Sequence, residues 1–204
     1  DPAMYLANFP TEEADRIRTE GPYQHYLRRI EHRSAELRVS PYFDPDWYLD
    51  RYPAVATAIA AGEWRCALEH YLCNDTPTAF DPLPEFSEAF YLGGDPNLVA
   101  AVEQRHFHNG YDHYLRNGAR ETRNPSDAID MRWYAEQEPA RSALANHECP
   151  DAFTHYLTIG AKQGLPVRQP AQATPVPPPP PVPPPAPPVV VSSPPIVPAP
   201  RRAS

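Results

Sequence analysis

The chain is poor in lysine, cysteine and glycine, and each shortage removes possibilities. Of 18 basic residues only Lys162 is a lysine, and the excess of Arg, Ala and Pro points to a GC-rich genome. Three cysteines, Cys66, Cys73 and Cys149, are odd in number and form no disulfide framework. Cys66 and Cys73 lie ~10 Å apart along a helix, beyond disulfide reach, so cysteine reads as small apolar filler. No glycine-rich phosphate loop occurs: Gly93-Gly94 is isolated and runs into the turn signal Asp95-Pro96. No apolar run approaches the ~18 residues of a membrane span. No stretch alternates apolar and polar residues over a strand length, and β-branched residues are sparse before the tail.

What is abundant is unevenly placed. Of 30 prolines, 17 lie between Pro166 and Pro200. That tail cannot form a packed helix or central strand, because proline lacks the amide donor. It holds only Arg168, Arg201 and Arg202 as charges, so removing it from the −8 of the whole chain leaves −11 on residues 1–165. Such a body repels phosphate backbones and anionic membrane surfaces.

Residues 1–165 repeat. Tyr5, Tyr48, Tyr91 and Tyr134 are spaced by 43, and a proline follows each by five: Pro10, Pro53, Pro96 and Pro139. A His-Tyr-Leu then recurs at His25-Tyr26, His70-Tyr71, His113-Tyr114 and His155-Tyr156. Fixed periods of this length mark repeat architectures. The spacing predicts an all-α body of four tandem units, about 1–43, 44–86, 87–129 and 130–165, with roughly three short helices each, arranged as a solenoid or a compact globule. In the second unit Asp44 is a natural N-cap and Pro45 suits the first helical position. Pro53 ends that helix and precedes the next, Ala54–Ala61, stopped by Gly62. A third is expected over Trp64–Cys73, with Ala67, Leu68, Tyr71 and Leu72 on one face. The third unit is expected to run Pro96–Glu103, then Gly110–Asn117, and Ser126-Asp127 reads as a turn into a helix. Asp1-Pro2 aligns with Asp44-Pro45, so the chain is expected to start inside a repeat, with Met4 at the position of Trp47 rather than at a start codon. A visible signal peptide is therefore not expected.

The candidate chemistry is weighed against the repeat. One histidine per unit suits a repeated structural job, an imidazole bonding a backbone carbonyl of a neighbouring helix, better than a single catalytic constellation. Cys66, His70 and Cys73 could share a helical face, but the other units lack both cysteines and a fourth zinc ligand is missing. His106-Phe107-His108 reads as a solvated turn. No catalytic, cofactor or metal residues are therefore expected, and no cofactor. Eight tyrosines fill the landmarks (5, 48, 91, 134, 26, 71, 114 and 156) and read as packing. The aromatics outside them, Tyr23, Tyr42, Trp64 and Tyr111, are the candidates for an exposed binding surface. The acids read as a solvated face.

Phe43–Ala56 (FDPDWYLDRYPAVA), His113–Pro125 (HYLRNGARETRNP) and His155–Gly164 (HYLTIGAKQG) resemble a short repeat found in bacterial glycosyltransferases and other polysaccharide-related proteins. Ala54 stands where that pattern has an acid, and Thr122 where it has glycine. The first unit departs most after His25. The resemblance implies repeats that accompany catalytic domains without themselves being catalytic, and a role in polysaccharide or cell-envelope assembly, cytoplasmic or at the envelope. No nucleotide-sugar transferase motif appears. The expected function is thus a non-catalytic interaction scaffold, docking to a protein partner or to a catalytic domain on its own parent chain. The alternatives are an accessory region of a glycosyltransferase and a carbohydrate-binding module. Residues 166–204 read as a disordered polyproline-II spacer rather than a groove ligand.

Overall fold

The computed structural model describes residues 1–31 and 37–169. The described chain is helical, with no strand and one isolated bridge between Ser40 and Phe43. Twelve α-helices follow in order: α1 Pro2–Leu6, α2 Thr11–Glu20, α3 Pro22–Glu31, α4 Pro45–Arg51, α5 Pro53–Ala61, α6 Ala67–Cys73, α7 Glu88–Gly93, α8 Pro96–Glu103, α9 Gly110–His113, α10 Met131–Ala135, α11 Ala140–Ala145 and α12 Ala152–His155. π-Helical turns, Tyr114–Gly118 and Tyr156–Gly160, extend α9 and α12. None of the helices is long and apolar enough to cross a membrane.

Local chemistry sets the boundaries. Asp1, Asp44, Ser87 and Asp130 cap α1, α4, α7 and α10, each side-chain oxygen accepting a backbone N–H of the first turn. Pro53 and Pro96 open α5 and α8, where their missing N–H costs nothing. The third helix of the second segment starts at Ala67, not Trp64, because Cys66 is its N-cap: its Sγ accepts Glu69 N–H at 3.4 Å. Cys66 is therefore a cap as well as filler, and Cys73 is exposed rather than packed. Leu72 is 54% exposed and lies off the buried face that holds Ala67 and Tyr71. Ser126-Asp127 forms a turn only; the helix waits for the Asp130 cap.

The helices pack mainly in threes, α1–α3, α4–α6, α7–α9 and α10–α12. One backbone bond closes each group. The nitrogen of Asp1 donates to Val39 O (3.0 Å), Asp44 to Pro82 O (3.1 Å), Ser87 to Pro125 O (3.0 Å) and Asp130 to Val167 O (2.8 Å). The main core runs from Phe43 to Leu157, and a smaller cluster of Tyr5, Leu6, Ala14 and Ile17 serves the first group. Arg168, placed in the tail by composition, belongs to the body together with Val167: its guanidinium donates to Ala128 O (2.9 Å) and to Asp127 O. The expected proline-rich spacer from Pro170 onward lies outside the described residues.

Candidate functional site

The landmark histidines meet the landmark tyrosines. Tyr5 Oη lies 2.6 Å from His25 Nδ1, and Tyr48–His70, Tyr91–His113 and Tyr134–His155 each span 2.8 Å. The partner of each imidazole is thus a phenol, not the backbone carbonyl expected from the sequence. The reason is geometric. The capped first helix of each group points its tyrosine across to the third helix, where the histidine sits. Burial holds His70, His113 and His155 below the usual imidazole range. Burial pushes Tyr91 and Tyr134 up to about 12 and Tyr48 higher still. In the pairs of His70, His113 and His155 burial thus favours the neutral phenol and the neutral imidazole, and the tautomer of the ring sets which of the two donates.

Aromatic rings wall the pairs in. His70 meets Phe80 edge-on at 4.8 Å and Trp64 at 5.2 Å, and His113 meets Phe107 at 4.7 Å. Gly118 and Gly160 sit directly under the tyrosine hydroxyls. A Cβ at these positions would lie 2.2 Å from Tyr91 Oη and 2.1 Å from Tyr134 Oη. That close approach is why the π-helical turns carry glycine there.

The four off-landmark aromatics separate. Tyr23 is 67% exposed, as a surface candidate should be. Trp64 is half-buried against His70. Tyr42 is half-buried and its hydroxyl shares a 2.8 Å bond with Thr154 Oγ1. Tyr111 is not exposed at all: its ring packs 4.6 Å from Phe86, and its hydroxyl donates to Tyr42 O at 2.8 Å. They form no common platform. The next landmark tyrosine, Tyr71, receives a bond from Asn109 Nδ2 (3.1 Å), while the matching Tyr114 hydroxyl is buried without a partner among the described residues.

One acid escapes the solvated face read from the sequence. Glu88 is 2% exposed and accepts from Gly110 N and, at 3.1 Å, from Tyr111 N. Burial pushes its carboxyl up to about 7, against the pull of those two N–H bonds. Nothing in the pattern marked it, because the same register holds Pro2, Pro45 and Met131 elsewhere.

Two of the clefts on the body differ in character. An apolar groove of about 520 Å³ lies between α6 and α9, with Leu68, Leu72, Tyr42 and Leu115 on its walls. A polar cleft of about 600 Å³ is lined by Phe90, Asp95, Thr122, Arg123, Asn124 and Arg132 among others. The described His, Cys, Asp and Glu residues form no cluster that could hold a metal ion. Comparison of the chain with protein-family models, curated proteins and solved structures found no match.

Proposed function

We propose that the body is an array of four 43-residue helical repeats and serves as a non-catalytic interaction scaffold in bacterial polysaccharide or cell-envelope assembly. The observation that carries the reading is the engagement of the recurring polar groups with one another. In every repeat the histidine Nδ1 is bound to a tyrosine hydroxyl of the same repeat. An imidazole whose Nδ1 is held in that way orders a fold rather than attacking a substrate. The link to polysaccharide assembly rests on the resemblance of FDPDWYLDRYPAVA and HYLRNGARETRNP to repeats that accompany glycosyltransferase domains. The proline-rich stretch beyond the body would then be a spacer to the partner or to a catalytic domain.

Incubation of the purified chain with UDP-glucose, UDP-N-acetylglucosamine and GDP-mannose tests the first half. No nucleotide diphosphate should be released above the buffer rate, and turnover would remove the non-catalytic reading. The native gene tests the second half. A transferase-like domain or a polysaccharide-assembly gene beside these codons supports the accessory role; unrelated neighbours on both sides remove it.

A further inference from the structure

The repeat supplies its own control, because residues that do a shared structural job recur, and a departure from the pattern needs a different reason. The polar cleft is such a departure. In the second repeat the position corresponding to Asp95 is Tyr52 and that corresponding to Arg123 is Phe80, and these two rings pack edge-on at 5.0 Å. The site there is filled by aromatic rings. In the fourth repeat the same two positions are Glu138 and Leu165. Only the third repeat places a cation and an acid there: Asp95 Oδ1 caps α8, its Oδ2 accepts from Arg123 Nη1 at 3.1 Å, and Arg123 Nε donates to Glu121 at 2.7 Å, so the pair frames the cleft. Where the second repeat has a ring pair, the third has an open cleft of about 600 Å³.

The walls of that cleft carry groups that the fold does not use up. Phe90 is 41% exposed, an aromatic face turned to water on the rim of a polar site. Arg132 is exposed and has no hydrogen bond or ion pair among the described residues. Asn124 spends its Oδ1 on Met131 N–H (2.9 Å) and keeps its amino group for another partner. Thr122 is held at φ 52°, where the corresponding residue of the fourth repeat is Gly164 at φ 65°. A β-branched residue in the left-handed region stores strain, and strain of this kind gathers at binding sites.

We infer that this cleft is a binding subsite for a neutral sugar ring, stacked on Phe90 and hydrogen-bonded through Asn124 and Arg132, with the Asp95–Arg123 pair as its wall. The chemistry follows from the mixture. A saccharide offers an apolar C–H face to an aromatic ring and a rim of hydroxyls that both donate and accept. The cleft offers an exposed ring beside donors on Asn124 and Arg132 and the carboxylate of Asp130, whose Oδ1 caps α10 and whose Oδ2 has no hydrogen bond among the described residues. A phosphate or polyanion fits worse, because Asp95, Asp130 and the −11 of the body oppose it. An open site of this kind predicts weak affinity, about millimolar for a single chain.

Titration of the ¹⁵N-labelled full chain with tetrasaccharides of glucose, mannose and N-acetylglucosamine, and with a glucuronate-containing tetrasaccharide, tests the inference. The expected result is amide shifts confined to the surroundings of Phe90, Thr122, Asn124 and Arg132 with at least one neutral probe. Phe90→Ala and Asn124→Ala should each weaken that binding about tenfold. Phe90 is a rim group, whereas Asn124→Ala also frees Met131 N–H, so the sugar-free spectrum of each variant is recorded first and shifts confined to the neighbours of the substitution report that it is folded. Silence with every probe up to about 20 mM would overturn the inference, since a millimolar site would then be saturated. Shifts elsewhere on the body would overturn it too. So would binding of the glucuronate probe alone that is lost in Arg132→Ala and kept in Phe90→Ala, which describes an anion site. The scaffold reading stands or falls separately, on nucleotide-sugar turnover and on the flanking gene.

Discussion

Two tyrosines at comparable depth should respond in opposite ways to loss of the hydroxyl. Tyr48 is fully buried and bonds His70 Nδ1 at 2.8 Å. Tyr48→Phe strands that buried nitrogen, which costs roughly 1–3 kcal/mol. Tyr114 is equally buried, but its hydroxyl has no partner among the described residues. Tyr114→Phe removes a desolvated group that was never compensated, and stability should hold or rise. Urea denaturation of both variants checks the pair; a loss in Tyr114→Phe as large as in Tyr48→Phe would sink the distinction. The sequence shows both as landmark tyrosines but not where each hydroxyl finds a partner: Tyr48 takes His70 of its own helix group, whereas Tyr71, the counterpart of Tyr114, takes Asn109 of the next one. The group α7–α9 begins its last helix after Asn109, whose amide reaches Tyr71; the group α10–α12 has Asp151 in that register, whose carboxylate is occupied by Thr154.

Among the elements, the helix ends follow local chemistry and were largely readable. Asp44, Pro45, Pro53 and Pro96 mark starts that the structure shares. The π-helical turns were not readable, because they depend on a tyrosine arriving from another helix. Gly118→Ala puts a Cβ 2.2 Å from Tyr91 Oη and 2.9 Å from the Tyr114 ring. Something must shift, and overpacking of this kind costs typically about 1–3 kcal/mol. Gly93→Ala is the control: it meets nothing within 4 Å on a helix, and should be neutral or gain up to ~1 kcal/mol. Equal thermal midpoints for the two alanine variants would refute the close-approach explanation. The turn after the π-helix has the reverse sense. Thr122 at φ 52° bears a left-handed penalty of roughly 1–2 kcal/mol, part of which glycine returns as chain entropy. Thr122→Gly should therefore stabilise by roughly 0.5–1 kcal/mol in the same denaturation assay, and a destabilised variant would show the strain to be absent.

At the scale of the whole molecule, the period of 43 makes the grouping of helices legible, whereas the joins between groups are not. Tyr42 was a surface candidate because it falls off the landmarks, yet it bonds Thr154, 112 residues away, and receives Tyr111 at its carbonyl. No local pattern encodes such a contact. The buried acid Glu88 was hidden for the same reason, and it gives the protein a pH response of mixed sign. His70, His113 and His155 titrate lower in the fold than in the unfolded chain. The unfolded state therefore binds more protons, and their contribution is lost as pH falls through about 6.5. Glu88 is raised from 4.5 to about 7, so here the folded state binds more protons. Its contribution is full below about 4.5 and is lost as pH rises to about 7. Between pH ~5 and ~7 the two trends oppose each other, and the wild-type stability profile should be flatter than the histidines alone would make it. Glu88→Gln removes the opposing carboxyl. Whatever constant loss the amide brings beside Gly110 N–H, the variant's stability should climb more steeply with pH across that window. Thermal midpoints measured from pH ~5 to ~8 decide the matter: parallel profiles for the two proteins would mean that Glu88 titrates alike in the folded and unfolded chain.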